Sequence, residues 1–181
     1  IHRFHWNQWD DEADLDALFA RLPHVRDLGL WRPGRFSGTF PALTALSVNT
    51  GPCPGLRDDL VVAAGRGELD GIEDLEVWGT PTEPVTWASH VLERARPRRM
   101  AFIGSIDGKV IPDLVTSPAF ATIRELDLQG FWPDDGALSV LLAALEARVE
   151  PLDRWTSTGR EYDDGVSARI RGVARDVRAT G

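Results

Sequence analysis

The chain has 181 residues, 43% apolar and 27% charged, with a mean hydropathy of −0.21 and a formal net charge of −8. That length suits one domain over residues 1–181 with a sizeable core. The acidic balance argues against nucleic acid or an anionic membrane as partner, since both need clustered positive charge. The single cysteine, Cys53, excludes a disulfide framework and a cysteine-rich zinc site, and fits a cytoplasmic setting. No run approaches the ~20 apolar residues of a membrane span. Residue 1 is isoleucine, which leaves open a preceding repeat or signal peptide.

Taken in chain order, short β-type segments alternate with helical or turn-rich ones. Ile1-His-Arg-Phe4-His-Trp6 places apolar residues in an I-x-x-L-x-L pattern. "DDEADLDALFARL" (10–22) follows, acidic at its start and apolar at Leu15, Leu18, Phe19 and Leu22, which predicts a helix. Val25-Arg-Asp-Leu28-Gly-Leu30 repeats the strand pattern, and "RPGRFSGTFP" (32–41) reads as an extended or turn-rich crossing. Leu43-Thr-Ala-Leu46-Ser-Val48 is the third copy, followed by the helical "GLRDDLVVAAG" (55–65). Ile72-Glu-Asp-Leu75-Glu-Val77 is followed by "VTWASHVLERA" (85–95), and Pro97-Arg-Arg-Met100-Ala-Phe102 is a weaker copy.

Ile123-Arg-Glu-Leu126-Asp-Leu128 then precedes the amphipathic "DDGALSVLLAALEARV" (134–149). Leu152-Asp-Arg-Trp155-Thr-Ser157 is a degenerate seventh copy. "YDDGVSARIRGVARDV" (162–177) predicts a closing helix with Ile170, Val173 and Val177 inward. The pairs Asp134-Asp135 and Asp163-Asp164 suit helix starts, where a carboxylate accepts free N–H groups at the positive end of the dipole. Glycine stands two residues past the last core position at Gly79, Gly104 and Gly130, where the chain must turn out of the strand.

The central residues Phe4, Leu28, Leu46, Leu75, Met100, Leu126 and Trp155 recur at intervals of 18 to 29 residues. One such unit cannot bury its apolar face alone; stacked units do, with their strands in a parallel sheet. The expected fold is therefore α/β: a leucine-rich-repeat solenoid of about seven repeats. Its concave face is a parallel sheet, and helices or loops cover the convex side. A doubly wound α/β domain is the rival.

"LDALFARLPHVRDLGL" and "IRELDLQGFWPDDGALSVLLAAL" resemble leucine-rich-repeat proteins of the ribonuclease-inhibitor type. "FPALTALSVNTGPCPGL" and "LEVWGT" are similar to bacterial leucine-rich-repeat proteins. The resemblance covers most of the chain and implies a scaffold used mainly for binding. It departs from that family in one respect. The asparagine expected three residues after the last core residue is replaced by Trp9, Pro33, Gly51, Thr80, Ser105 and Phe131, which predicts irregular turns.

Strand side chains alternate between faces, so the residues beside the core positions face the open side. One row there reads Arg3, Asp27, Ala45, Asp74, Arg99, Glu125. The middle row is His5, Gly29, Ser47, Glu76, Ala101, Asp127, and the third is Asn7, Trp31, Asn49, Trp78, Ile103, Gln129. Trp31 and Trp78 stand ~10 Å apart at the usual strand spacing. Aromatic residues on an open sheet mark interface hot spots. Trp31, Asn49, Trp78 and Ile103 thus form the expected centre of a protein- or peptide-binding patch, rimmed by Asp27, Asp74, Glu76, Glu125 and Asp127. A partner with a basic patch matches that rim, and Asp74, Arg99 and Glu125 also fit an ion-pair ladder.

Catalysis is not expected. Glu76 and Asp127 lie ~10 Å apart by strand spacing, beyond the ~5–9.5 Å of glycosidase carboxylate pairs. His2, His5, His24 and His90 are scattered, the aspartate pairs lack a calcium-loop pattern, and "GRGELDG" (65–71) lacks the lysine of a phosphate loop. No cofactor or metal is expected. The rival functions are an enzyme with an acidic rim site and a structural segment of a larger assembly.

Overall fold

A strand template that returns every two dozen residues brings the same side-chain pattern to the sheet at each pass, and the register follows from it. The computed structural model describes residues 3–6, 24–30, 41–49, 54–79, 86–104, 108–130, 133–159 and 161–180. Among these residues there are eight strands: β1 (Arg3–Trp6), β2 (Asp27–Leu30), β3 (Ala45–Asn49), β4 (Asp74–Gly79), β5 (Arg99–Gly104), β6 (Glu125–Gln129), β7 (Leu152–Thr158) and β8 (Ala174–Thr180). They lie side by side in chain order, and every neighbouring pair is parallel. A doubly wound sheet would reverse its strand order partway, and this one does not.

The connections hold helices α1 (Pro54–Gly65), α2 (Thr86–Arg94), α3 (Val110–Thr116), α4 (Asp135–Glu146) and α5 (Asp164–Val173), with a 3-10 turn at Pro118–Ala121. The expected helix over 10–22 and, apart from Pro41, the crossing over 32–41 lie outside the described residues, as do the six positions of the missing asparagines.

Phe4, Leu28, Leu46, Leu75, Met100, Leu126 and Trp155 stand abreast on successive strands, with Val177 continuing the line on β8. The second core line runs Leu30, Val48, Val77, Phe102, Leu128 and Ser157; Ala179, in register with Ser157 on β8, is exposed. Residues of these lines join Leu60, Val91, Ile111, Leu114, Leu141, Leu142 and Ile170 from the helices in one apolar cluster. Each fully buried leucine contributes ~1.5–3 kcal/mol of transfer free energy.

The degenerate seventh copy is filled in its own way. Trp155 is 0% exposed, and its indole N–H donates to the Ser157 hydroxyl at 3.3 Å. The serine at a core position thus satisfies the one polar group of the largest core side chain.

A second regularity lies in the backbone. Just before each of β2 to β6, one carbonyl accepts two N–H groups from the next unit. Arg26 O accepts from Thr44 and Ala45, Thr44 O from Glu73 and Asp74, and Glu73 O from Arg98 and Arg99. Arg98 O and Arg124 O continue the series, all at 2.7–3.2 Å.

Both aspartate pairs cap helices. Asp134 Oδ1 accepts from Ala137 N at 2.7 Å, and Asp163 Oδ1 accepts from Val166 N at 2.8 Å. The closing helix is shorter than expected, however. It stops at Val173, and Val177 belongs to β8. Ala174-x-x-Val177-x-Ala179 is an eighth copy of the template, hidden because alanine replaces the large apolar residues. Helix α3 was not expected either. Pro112 reads as a breaker, but it sits in the first turn, where the missing N–H has no helical partner to lose.

Gly104 and Gly130 adopt φ of 83° and 66°, a left-handed backbone that glycine alone takes without strain. A Cβ on Gly104 would also lie 3.0 Å from the Gly79 carbonyl oxygen. Gly104→Ala is therefore expected to destabilise the chain by ~1–3 kcal/mol in urea unfolding. Gly65→Ala, at the end of α1 with open space around it, is the control. It is expected to leave the midpoint unchanged or slightly raised.

Candidate functional site

The face of the sheet opposite the apolar cluster carries the three rows set out from the sequence. The row before the central residues reads Arg3, Asp27, Ala45, Asp74, Arg99, Glu125, Arg154, Asp176, one from each strand in register. Arg3 Nε lies 2.7 Å from Asp27 Oδ2, and Arg99 Nη1 lies 2.8 Å from Asp74 Oδ1. Arg154 reaches both ways, to Glu125 Oε2 at 3.0 Å and Asp176 Oδ2 at 3.4 Å. The expected ladder of Asp74, Arg99 and Glu125 is thus part of a longer one. Arg154 and Asp176 were missed, although counting one residue back from Trp155 and from Val177 finds both.

Arg99 is the hub. Besides Asp74 it meets Asp127 Oδ2 at 3.1 Å and approaches Glu76 Oε2 at 3.7 Å. Burial alone draws the guanidinium's proton affinity down. The hydrogen bonds and charges of Asp74 and Asp127 outweigh that, and its pKa is raised above an already high value. A raised pKa on a base means that its contribution to stability is fully present below the ordinary arginine pKa and is lost only above it. Arg99 therefore stays charged at every pH at which the protein is handled.

The middle row departs from expectation. Asp127 was placed on an exposed rim, but only 7% of it is accessible, and Gly29, Ser47 and Ala101 beside it in the row are buried as well. Small side chains sit low on the sheet, and longer neighbours close over them. Asp127 Oδ2 accepts from Arg99 and, at 2.8 Å, from Gln129 Nε2, while Asp127 Oδ1 is buried without a hydrogen-bond partner.

Glu76 is engaged too. Its Oε1 accepts from the Ser47 hydroxyl at 2.9 Å and from the Trp78 indole N–H at 2.5 Å. Asp27, Asp74, Glu76 and Glu125 are thus all ion-paired or hydrogen-bonded within the chain, not a loose acidic fringe.

The third row brings Asn49, Trp78 and Ile103 abreast on β3, β4 and β5, all three half-buried. Trp31, the fourth residue of the expected patch, lies outside the described residues. Glu76 and Asp127 stand on strands two apart with Arg99 between them, and both lie within reach of its guanidinium. Among the described residues no group of three or more His, Cys, Asp or Glu could hold a metal ion, and no helix is long and apolar enough to cross a membrane.

Comparison with protein-family models, with curated proteins and with solved structures finds no match for the chain. What stands is a mixed α/β chain with an all-parallel sheet in sequential strand order.

The hub and the ladder differ in worth. Removing the cation beside a buried carboxylate leaves that charge uncompensated. Arg99→Met is therefore expected to destabilise by ~3 kcal/mol in chemical unfolding. Arg154→Met, in a more exposed pair, is expected to cost under ~1 kcal/mol. The double variant Arg99→Met/Asp127→Leu is expected to recover most of the first loss, because it removes both charges at once.

Proposed function

We propose that the chain is a leucine-rich-repeat solenoid acting as a non-catalytic scaffold. It binds another protein or peptide on the open, concave face of its sheet. The observation that carries this reading is the alignment of Asn49, Trp78 and Ile103 on three adjacent strands, half-buried and on the face away from the helices.

Trp78 is suited to such a role. Its indole N–H is already satisfied by Glu76, so a partner that covers the ring need not supply an acceptor. Ile103 beside it on β5 extends the apolar area. Buried aromatic anchors of this kind dominate binding energy at protein interfaces. The commitment of Asp74, Glu76 and Asp127 to Arg99 supports recognition over acid–base chemistry, which needs carboxyl groups able to exchange protons with a substrate.

The test uses a partner first captured by the immobilised wild-type chain and then purified. Trp78→Ala is expected to weaken its binding by ~30-fold or more, the loss typical of a hot-spot residue. Val62→Ser, an exposed change on α1, is expected to leave the affinity unchanged. Calorimetric titration of both variants checks this. Equal affinity for wild type and Trp78→Ala, with both folded by circular dichroism, discards the open face as the binding surface.

A further inference from the structure

The charged row on the open face alternates in sign over most of its length, with a single lapse. From Asp74 onward it runs acid, Arg99, acid, Arg154, acid. At the other end Arg3 pairs with Asp27. Between Asp27 and Asp74 the alternation calls for a cation, and β3 supplies Ala45. A cavity of about 250 Å³ opens over this position, with Ala45 and Ser47 in its floor and Asp27, Asp74, Glu76 and Arg99 among its walls.

The molecule itself indicates what fits there. Arg154 stands between Glu125 and Asp176 in the same row, with an acid on each neighbouring strand, and bridges both at 3.0 and 3.4 Å. Asp27 and Asp74 flank Ala45 in the same relation. Charge agrees with geometry. Asp27, Asp74 and Glu76 bring three formal negative charges to the cavity's lining, against two positive ones from Arg3 and Arg99. A planar guanidinium, with donors on several sides, can bridge two carboxylates; a compact ammonium meets them less well at that span.

We propose that the cavity over Ala45 receives an arginine side chain of the bound partner, whose guanidinium completes the ladder between Asp27 and Asp74. This rests on the open-face reading above and specifies its chemistry: the partner presents an arginine within reach of the surface that covers Trp78.

The test needs no partner. The ¹⁵N-labelled wild-type chain is titrated at low salt with acetyl-Gly-Arg-Gly-amide and with its citrulline and lysine analogues. Citrulline keeps the shape of arginine and removes the charge. The arginine peptide is expected to shift the amide signals of Ala45, Ser47 and Asp74 saturably. The lysine peptide is expected to do so more weakly, and the citrulline peptide not at all. The arginine effect is expected to fade near ~1 M salt, where the screening length falls to ~3 Å.

In Ala45→Arg the chain's own guanidinium occupies the cavity. The peptide shifts are then expected to vanish and the melting temperature to rise by ~2–4 °C, with no rise in Ala45→Gln. Equal shifts from arginine and citrulline, equal binding of arginine and lysine, shifts confined to another surface, or undiminished peptide binding by Ala45→Arg would each overturn the proposal. A partner whose binding falls with Trp78→Ala but is unchanged by Ala45→Arg would keep the open face and remove the arginine slot.

Discussion

Register is the constraint on which everything else in this chain depends. A strand's side chains alternate between faces, so a shift of one residue between neighbours would put core leucines in water and charged residues in the core. The chain guards against that twice at each step from β2 to β7. The central apolar residues pack together on the helix side, from Leu28 to Val177. The shared carbonyls of Arg26, Thr44, Glu73, Arg98 and Arg124 clamp the start of the following strand with paired N–H groups. Because the clamp is made of backbone, it is indifferent to side-chain identity. That is why the weak copy around Met100 and the degenerate one around Trp155 keep step with the rest.

Register also organises the electrostatics. A residue one place before each central position lands in a single row, so the choice of charge at that place determines its neighbours' environment. The exposed members of such a row contribute little each. The exception is Arg99, whose second partner, Asp127, is buried. Asp127 in turn lies low in the sheet, its Oδ2 held by the guanidinium from the neighbouring strand and by Gln129 on its own. The polar surface is thus layered: small or buried groups beneath, arginines and carboxylates above, with Trp78 held along its own strand by Glu76.

Much of this was legible in the sequence, for a physical reason. Leucine, valine and isoleucine at fixed offsets are unambiguous when seven copies agree, and an aspartate before a helix has one dominant use. The parts that escaped detection have equally definite causes. In β8 alanine stands at two template positions, so apolar content no longer separates strand from helix and the arginine-rich segment reads as a helix continuing. In α3 Pro112 masks a seven-residue helix whose Val110, Ile111 and Leu114 are buried. The burial of Asp127 depends on the length of side chains one strand away, Arg99 above all, and no local pattern within Glu125–Gln129 reports it. The row containing Arg154 and Asp176 was within reach of the same counting rule that located Asp74 and Arg99.

The strand order has a further consequence. Each strand in the sheet touches only its chain neighbours, and the sheet does not close on itself, so no contact ties β1 to β8. In a sheet so ordered the two outer strands have a neighbour on one side only, so local opening is expected to cost least at the margins. Met100 and Phe102 sit near the middle of the order and Trp155 one rung from its end. The chain is thereby graded along its own length. Amide protons in β4 to β6 would outlast those at either margin, and damage to a terminal rung would be felt locally long before it reached the surface around Trp78.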